Sequence, residues 1–198
     1  MLETTTLGSK TGLRVPRLCL GTMNFGEPGR GHQGDWTLGI NDARPIFEAA
    51  IESGLFYFDT ADIYGVGACE KVVGQLLRDL LPREQYVINT KIAMPMGRGA
   101  NQGGLSRKHI MEGVDSSLQR LGLDYVDQLI IHRHPHGIRG SSAGPIEETL
   151  EALDDVVKAG KALHIGASSM FAWQFAELQL TAKINGWTQF VSMQNHYN

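Results

Sequence analysis

Asp59, Tyr64, Lys91 and His132 each sit at or just past the C-terminal end of a run of apolar or β-branched residues. Their side chains are a carboxylate, a phenol, an ammonium and an imidazole. A phenol titrates at about pH 10, so it needs a nearby cation to release its proton at neutral pH, and Lys91 is placed to supply one. Asp59 can pair with that ammonium, and His132 can orient an oxygen toward the phenol. The set suits reduction of a carbonyl group by hydride. Taken singly, each residue has a plainer reading: a strand-end cap, an aromatic plug, a solvated charge and a satisfied core histidine. Their fall at successive strand ends favours the joint reading.

Elements that would position them follow from periodicity. Strand candidates are Leu18 to Leu20, Phe56 to Asp59, Val87 to Lys91, Gln128 to His132, Leu163 to Gly166 and Phe190 to Met193. Between them, apolar residues recur at helical spacing: Val73, Leu76, Leu77 and Leu80, then Ile110, Val114, Leu118 and Leu121, then Ile146, Leu150, Leu153 and Val157. Ser106 is placed to cap the third helix. Pro145 fits the first turn of the fourth, ahead of Glu147 and Glu148, and Gly160 ends it. Thr4 to Leu7 and Leu13 to Val15, around Gly8 to Gly12, read as a hairpin capping one end.

Strands alternating with helices imply a parallel sheet, because each helix returns the chain to the same end. Polar residues gathered at the C-terminal ends of several strands favour a (β/α)8 barrel over an open doubly wound sheet. Gly21 to Gly26 is too sparse for a dinucleotide fingerprint, and Gly97 to Gly104 reads as a mobile connection over the barrel mouth. An eight-stranded barrel takes about 250 residues. The 198 residues here yield six strands, so the reading is one incomplete barrel domain over residues 1–198, truncated after strand six.

A formal net charge of -3 with no basic stripe excludes bulk nucleic acid as a partner. No apolar run reaches membrane-spanning length and no leader-like segment opens the chain, so the expectation is a cytoplasmic protein with no membrane partner. Cys19 and Cys69 are expected as free thiols.

Phe58-Asp59-Thr60-Ala61-Asp62-Ile63-Tyr64-Gly65, Thr90-Lys91, Ser117-Leu118-Gln119-Arg120-Leu121, Asp124-Tyr125-Val126-Asp127, Ile131-His132-Arg133, Gly160-Lys161 and Ile165-Gly166-Ala167-Ser168-Ser169 occur in that order. This series resembles the aldo/keto reductases, and covers nearly the whole chain. The wording around Gly166 to Met170 and Val191 to Gln194 is most similar to members related to aryl-alcohol dehydrogenases, some of which carry a 1-deoxyxylulose-5-phosphate synthase label. The resemblance implies Tyr64 as general acid, Lys91 and Asp59 as its supporting ion pair, and His132 as the group that directs the carbonyl oxygen. It implies NADP(H) as cofactor, with Ser168, Ser169 and Gln194 at the carboxamide and Gly21, Thr22, Met23 and Asp59 beside the ribose and ring. At Ser169 the family commonly has Asn. The implied partner is a small-molecule aldehyde or ketone, with Met23 and Trp36 among the pocket residues.

His132 to Gly144 looks like an insertion at the mouth of the site. Its alternating imidazoles, His132, His134 and His136, admit a metal reading. Metal-binding barrels draw ligands from several strands, however, and His109 sits in a helix start, so the expectation is no metal and a polar, flexible loop that alters access. Two other classes stay open: a Schiff base on Lys91, opposed by the adjacent Asp59, and a truncated non-catalytic homologue acting as a binding protein.

Overall fold

The computed structural model describes residues 2–32, 34–137 and 144–196. An antiparallel hairpin of β1 (Thr4–Thr6) and β2 (Arg14–Pro16) precedes six parallel strands: β3 (Leu20–Gly21), β4 (Tyr57–Asp59), β5 (Val87–Ile92), β6 (Val126–Ile131), β7 (Ala162–Ser168) and β8 (Ser192–Gln194). The helices between them are α1 (Ile40–Glu52), α2 (Ala68–Leu80), α3 (Arg107–Leu121), α4 (Ile146–Lys158) and α5 (Ala172–Asn185). Strands lie in sequential order, β3 to β8. The result is a curled half-barrel with helices, an incomplete (β/α)8 barrel, as the alternation of elements predicts.

Every residue of β5 and β6 is buried, as expected for parallel strands covered on both faces. Side chains alternate. Phe58, Ile88, Ile92, Leu129, Ile131 and Ile165 join the hydrophobic core with the apolar stripes of α2, α3 and α4. Asn89, Lys91 and Gln128, one register away, face the barrel side, where Asn89 donates to Asp59 and Gln128 to Ser192. Gly166 makes this last bond possible: a Cβ there would lie 2.7 Å from the amide nitrogen of Gln128 and 2.9 Å from the Ser192 hydroxyl.

Several boundaries differ from the periodicity. The first parallel strand is Leu20–Gly21, and Leu18 is 60% exposed rather than paired. The last is Ser192–Gln194 rather than Phe190 to Met193. Phe190 is buried, but the side-chain amide of Gln179 in α5 satisfies its backbone: Gln179 Oε1 accepts from the Phe190 N–H and Gln179 Nε2 donates to its carbonyl. A helix side chain thus does there what a strand neighbour does elsewhere. Strand β6 ends at Ile131, leaving His132 just beyond it, whereas β5 runs one residue past Lys91. Pro145 is the residue before α4 rather than part of its first turn. Ser106 caps α3 as expected, accepting from the His109 N–H.

Gly8 carries a positive φ, and a Cβ there would meet the Val191 carbonyl at 2.1 Å, so the hairpin packs against the chain just before β8, at the end opposite Tyr64. The Gly97 to Gly104 connection is internally bonded: Gln102 accepts from Met96 and Gly99, and Gly104 donates to Ala93. Residues 138–143 of the expected insertion lie outside the described residues. At its start His134 and Pro135 are buried, His134 against His136 and Trp173, whereas His136 and Gly137 are exposed. Cys19 and Cys69 are free thiols. No helix among the described residues is long and apolar enough to cross a membrane.

Helices α2 and α3 touch at Gly74, where a Cβ would lie 2.3 Å from the Leu121 carbonyl oxygen. Gly74→Ala forces the helices apart and is expected to lower stability by about 1–3 kcal/mol despite the better helix propensity of alanine. Urea unfolding checks this, and an unchanged midpoint would show the contact to be dispensable.

Candidate active site

Strand β4 ends at Asp59, and its neighbour β5 carries Lys91 two residues beyond the partner of Asp59 in the ladder, Asn89. That register brings the Lys91 ammonium to 2.6 Å from Asp59 Oδ2, with a further bond of 2.9 Å to the Thr60 carbonyl. Lys91 is 2% exposed. A buried ammonium requires such partners, since several kcal/mol of hydration are lost on burial. The chain then passes through Ala61 and Asp62, whose backbone N–H donates to the Lys91 carbonyl, and reaches Tyr64. The phenol oxygen lies 3.5 Å from Lys91 Nζ, and the ammonium stands 5.1 Å from the ring centroid.

Tyr64 opens a one-turn 3-10 helix, Tyr64–Gly67, in which Gly65, Val66 and Gly67 all have positive φ. A β-branched residue at φ 49° is strained and persists only where its surroundings over-determine it. Arg120 of α3 does so. It packs against Gly67, where a Cβ would lie 2.5 Å from Arg120 Cδ, and donates through Nε to Glu70 Oε2 at 2.6 Å. Glu70, fully buried in the first turn of α2, accepts from Thr90 at 2.5 Å through its other oxygen. The turn after Tyr64 is therefore fastened both to α3 and to the strand that carries Lys91.

His132 stands edge-on to Tyr64, with ring centroids 5.9 Å apart and planes at 81°. Burial, then the positive charges of Lys91 and Arg133, push its imidazole down to about 3, and its Nδ1 has no protein partner. The ring is neutral. Tyr64 moves the other way: burial raises the phenol above its usual value, and the Lys91 ammonium offsets only part of that rise.

These four residues line one cavity of about 590 Å³ together with Met23, Trp36, Ser168, Ser169 and Gln194, all nominated from sequence. Gln194 accepts the Ser169 N–H through its carbonyl at 3.1 Å, and the Ser168 and Ser169 hydroxyls are 3.0 Å apart. Ser169 has φ 52°, a conformation that Asn adopts more readily than Ser, which gives the family's Asn a backbone reason. Gly21 and Thr22 do not line the cavity. Thr22 is fully buried, its hydroxyl donating to the Asp59 carbonyl and touching Cys69, so it supports β4 from behind. Sequence reasoning missed His32, Ile63, Met94, Asn195 and His196 as lining residues. His32 and Met94 sit on loops with no periodic signal, whereas Asn195 and His196 follow Gln194 directly and were legible as strand-end residues. Among the described residues no three His, Cys, Asp or Glu side chains group closely enough to hold a metal ion.

The depressed value of His132 has a sign. Between about 3 and 6.5 the unfolded chain binds a proton that the folded one does not. Its contribution to stability is therefore complete above the ordinary value and is lost as pH falls toward the lower one. The His132 ring resonances should show no titration between about pH 5 and 8. A midpoint near the ordinary imidazole value in an NMR titration would contradict the burial seen here.

A family model described as the aldo/keto reductase family matches residues 17–198. The chain is 42% identical over 206 residues to versiconal hemiacetal acetate reductase of Aspergillus parasiticus, covering 95% of this chain and 57% of that protein. It is 40% identical over 212 residues to aldo-keto reductase AMT2 of Alternaria alternata, covering 95% and 55%. To a Schizosaccharomyces pombe protein provisionally named an aryl-alcohol dehydrogenase it is 41% identical over 214 residues, covering 95% and 58%. The chain thus spans a little over half the length of these relatives. Matching strand order, the strand-end residues and this similarity agree: the chain belongs to the aldo/keto reductase family.

Proposed function

We propose that this site transfers a hydride between NADP(H) and an aldehyde or ketone, with Tyr64 as the proton donor. The observation that carries the reading is the Lys91 ammonium, fixed by Asp59 and standing 3.5 Å from the Tyr64 oxygen inside the cavity. When bound, the nicotinamide supplies the hydride that adds to the carbonyl carbon. Tyr64 gives its proton to the oxygen as negative charge develops there, and the phenolate left behind faces Lys91. An ammonium already paired and oriented needs no reorganisation at that moment. Burial keeps the phenol protonated before reaction, which suits an acid. Neutral His132 orients the carbonyl oxygen through a ring N–H without adding a second charge.

Ser168, Ser169 and Gln194 fit the carboxamide: short polar side chains and an amide at adjacent strand ends face the same cavity as Tyr64. Met23 borders the cavity on the β3 side, while Gly21 and Thr22 shape it from behind. Asp59 serves the cofactor side through Lys91. The preference for NADP(H) over NAD(H) rests on the family resemblance. The cavity walls include Met23, Trp36, Ile63 and Met94, an apolar lining for a small carbonyl substrate.

Tyr64→Phe should lower turnover of an aldehyde with NADPH by about 10²–10⁴-fold. Cofactor binding, read by quenching of protein fluorescence, should persist. Turnover close to that of the unmodified protein would remove Tyr64 as the acid. Lys91→Met should lose turnover to a similar degree, and borohydride in the presence of a carbonyl substrate should leave Lys91 unmodified. Trapped substrate on Lys91 would favour the Schiff-base chemistry instead.

A further inference from the structure

The cavity that holds Tyr64 carries three side chains of fixed charge on its wall: Asp59, Lys91 and Arg133. Asp59 and Lys91 offset each other, since the ammonium sits 2.6 Å from Asp59 Oδ2 and Asn89 donates to the other carboxylate oxygen. Arg133 is left over. Among the described residues its Nη1 donates to the His132 carbonyl at 3.0 Å, and its guanidinium enters no ion pair. A guanidinium carries five N–H donors in a rigid planar fork, so the edge formed by Nε and Nη2 is open to an acceptor.

Two observations place this charge near the chemistry. The carbonyl that holds it belongs to His132, and its charge is one of those that push the His132 imidazole down, so the guanidinium lies close to the ring that stands edge-on to Tyr64. Arg133 is only half-buried, and it also borders the adjoining space at the start of α5, where Phe171 and Gln174 lie. Asn195 lines both spaces with it but is committed elsewhere: its side chain accepts from the Met170 N–H and donates to the Met170 carbonyl. The surplus charge is local. The whole chain has a formal net charge of -3, so this wall is positive within a negative protein. Its other walls are apolar, formed by Met23, Trp36, Ile63 and Met94, and walls of low polarity focus the field of a charge set among them. The complementary ligand has an apolar body and an anionic end.

We propose that Arg133 selects carbonyl substrates that carry an acidic group, with aromatic aldehydes bearing a carboxylate as the class that suits both the guanidinium and the apolar walls. The assignment rests on the hydride-transfer reading and gives that site a direction: the carbonyl meets Tyr64 and His132, and the anionic group meets Arg133. Two carboxylate oxygens pair side by side with the open edge of the fork. The phosphates of the cofactor offer the same chemistry. The substrate is favoured because Arg133 follows directly on His132, the group that orients the carbonyl oxygen in that reading.

The test is to assay the full chain with NADPH and the ortho, meta and para isomers of formylbenzoate, each against its methyl ester, at one ionic strength. The ester keeps the aldehyde and removes the charge. At least one acid should show a kcat/KM about tenfold or more above that of its ester, and Arg133→Met should abolish the difference by raising the KM of the acid about tenfold to a hundredfold. Turnover of the ester and the KM for NADPH should stay near those of the unmodified protein. Should Arg133→Met fail to fold, Arg133→Lys, which keeps the charge and loses the fork, should show a smaller loss of the same kind. No acid preferred over its ester, a preference that survives in Arg133→Met, or equal losses on acid and ester with a raised KM for NADPH would each overturn the proposal, the last by assigning Arg133 to the cofactor phosphates. Isothermal titration of the same proteins with benzoate and benzamide separates the two readings. Tighter binding of benzoate that depends on Arg133, without turnover of any aldehyde, would uphold the anion site and remove hydride transfer. Turnover of acid and ester alike, with benzoate and benzamide bound alike, would remove the role of Arg133 and leave hydride transfer standing.

Discussion

A lysine ammonium buried among parallel strands is the constraint on which the rest of the site depends. Lys91 lies in a strand covered on both faces, where an unpaired charge is not tolerated, and it is held by Asp59 of the adjacent strand and the Thr60 carbonyl. Parallel pairing of β4 with β5 is what brings the two together, because it sets Asp59 opposite Asn89 and leaves Lys91 one pleat further toward the rim. The same register gives Asn89 an acceptor in the other Asp59 oxygen. Asp59 is thereby held from two sides. Its geometry is set by the protein alone.

The second requirement is to keep a phenol beside that ammonium, and here the helix side of the sheet is decisive. Three consecutive residues after Tyr64 occupy the left-handed region, an arrangement that costs energy at Val66. Its persistence is explained by the buried chain from Thr90 through Glu70 to Arg120, which ties β5, α2 and α3 to the turn. Gly67 and Gly74 permit the close approaches that this chain needs. The geometry of the candidate site on one face of the sheet is thus bound to packing on the other. The polar groups of the barrel side, Gln128, Ser192 and Asn89, extend the same logic toward the far end of the strands.

Electrostatics divide the site's groups by burial rather than by residue type. His132 and Tyr64 are both pushed toward their neutral forms by loss of water, one downward and one upward. A neutral ring and a protonated phenol thus stand beside the Lys91 ammonium, itself paired with Asp59, with the Arg133 guanidinium also on the cavity wall. That is a suitable environment for an oxygen acquiring negative charge. Asp62, two residues from Tyr64, follows the same rule: burial, then the charge of Glu70, raise its carboxyl toward the neutral form.

Alternation of apolar runs with helical stripes was enough to derive a sequential parallel sheet, since a helix between strands leaves few other connections. Residue type at strand ends was enough to nominate Asp59, Tyr64, Lys91 and His132, because sequential parallel strands bring those ends to one rim, whereas Ser168, Ser169 and Gln194 came from the family resemblance. Helix α5, with Phe175 and Leu178 facing in while Trp173, Leu180 and Ile184 face out, carries no clear stripe. Local pattern could not show that Gln179 would replace a strand at Phe190, that Thr22 would sit behind the cavity, or that His32 and Met94 would border it. Nor could it show Asp62 and His109 lining one pocket. Sequence determined which groups were available and at which end of the sheet they fall, through the short-range periods of strand and helix. Tertiary structure alone decided which of them lost water and which found a partner, because burial and pairing are set by elements far apart in the chain.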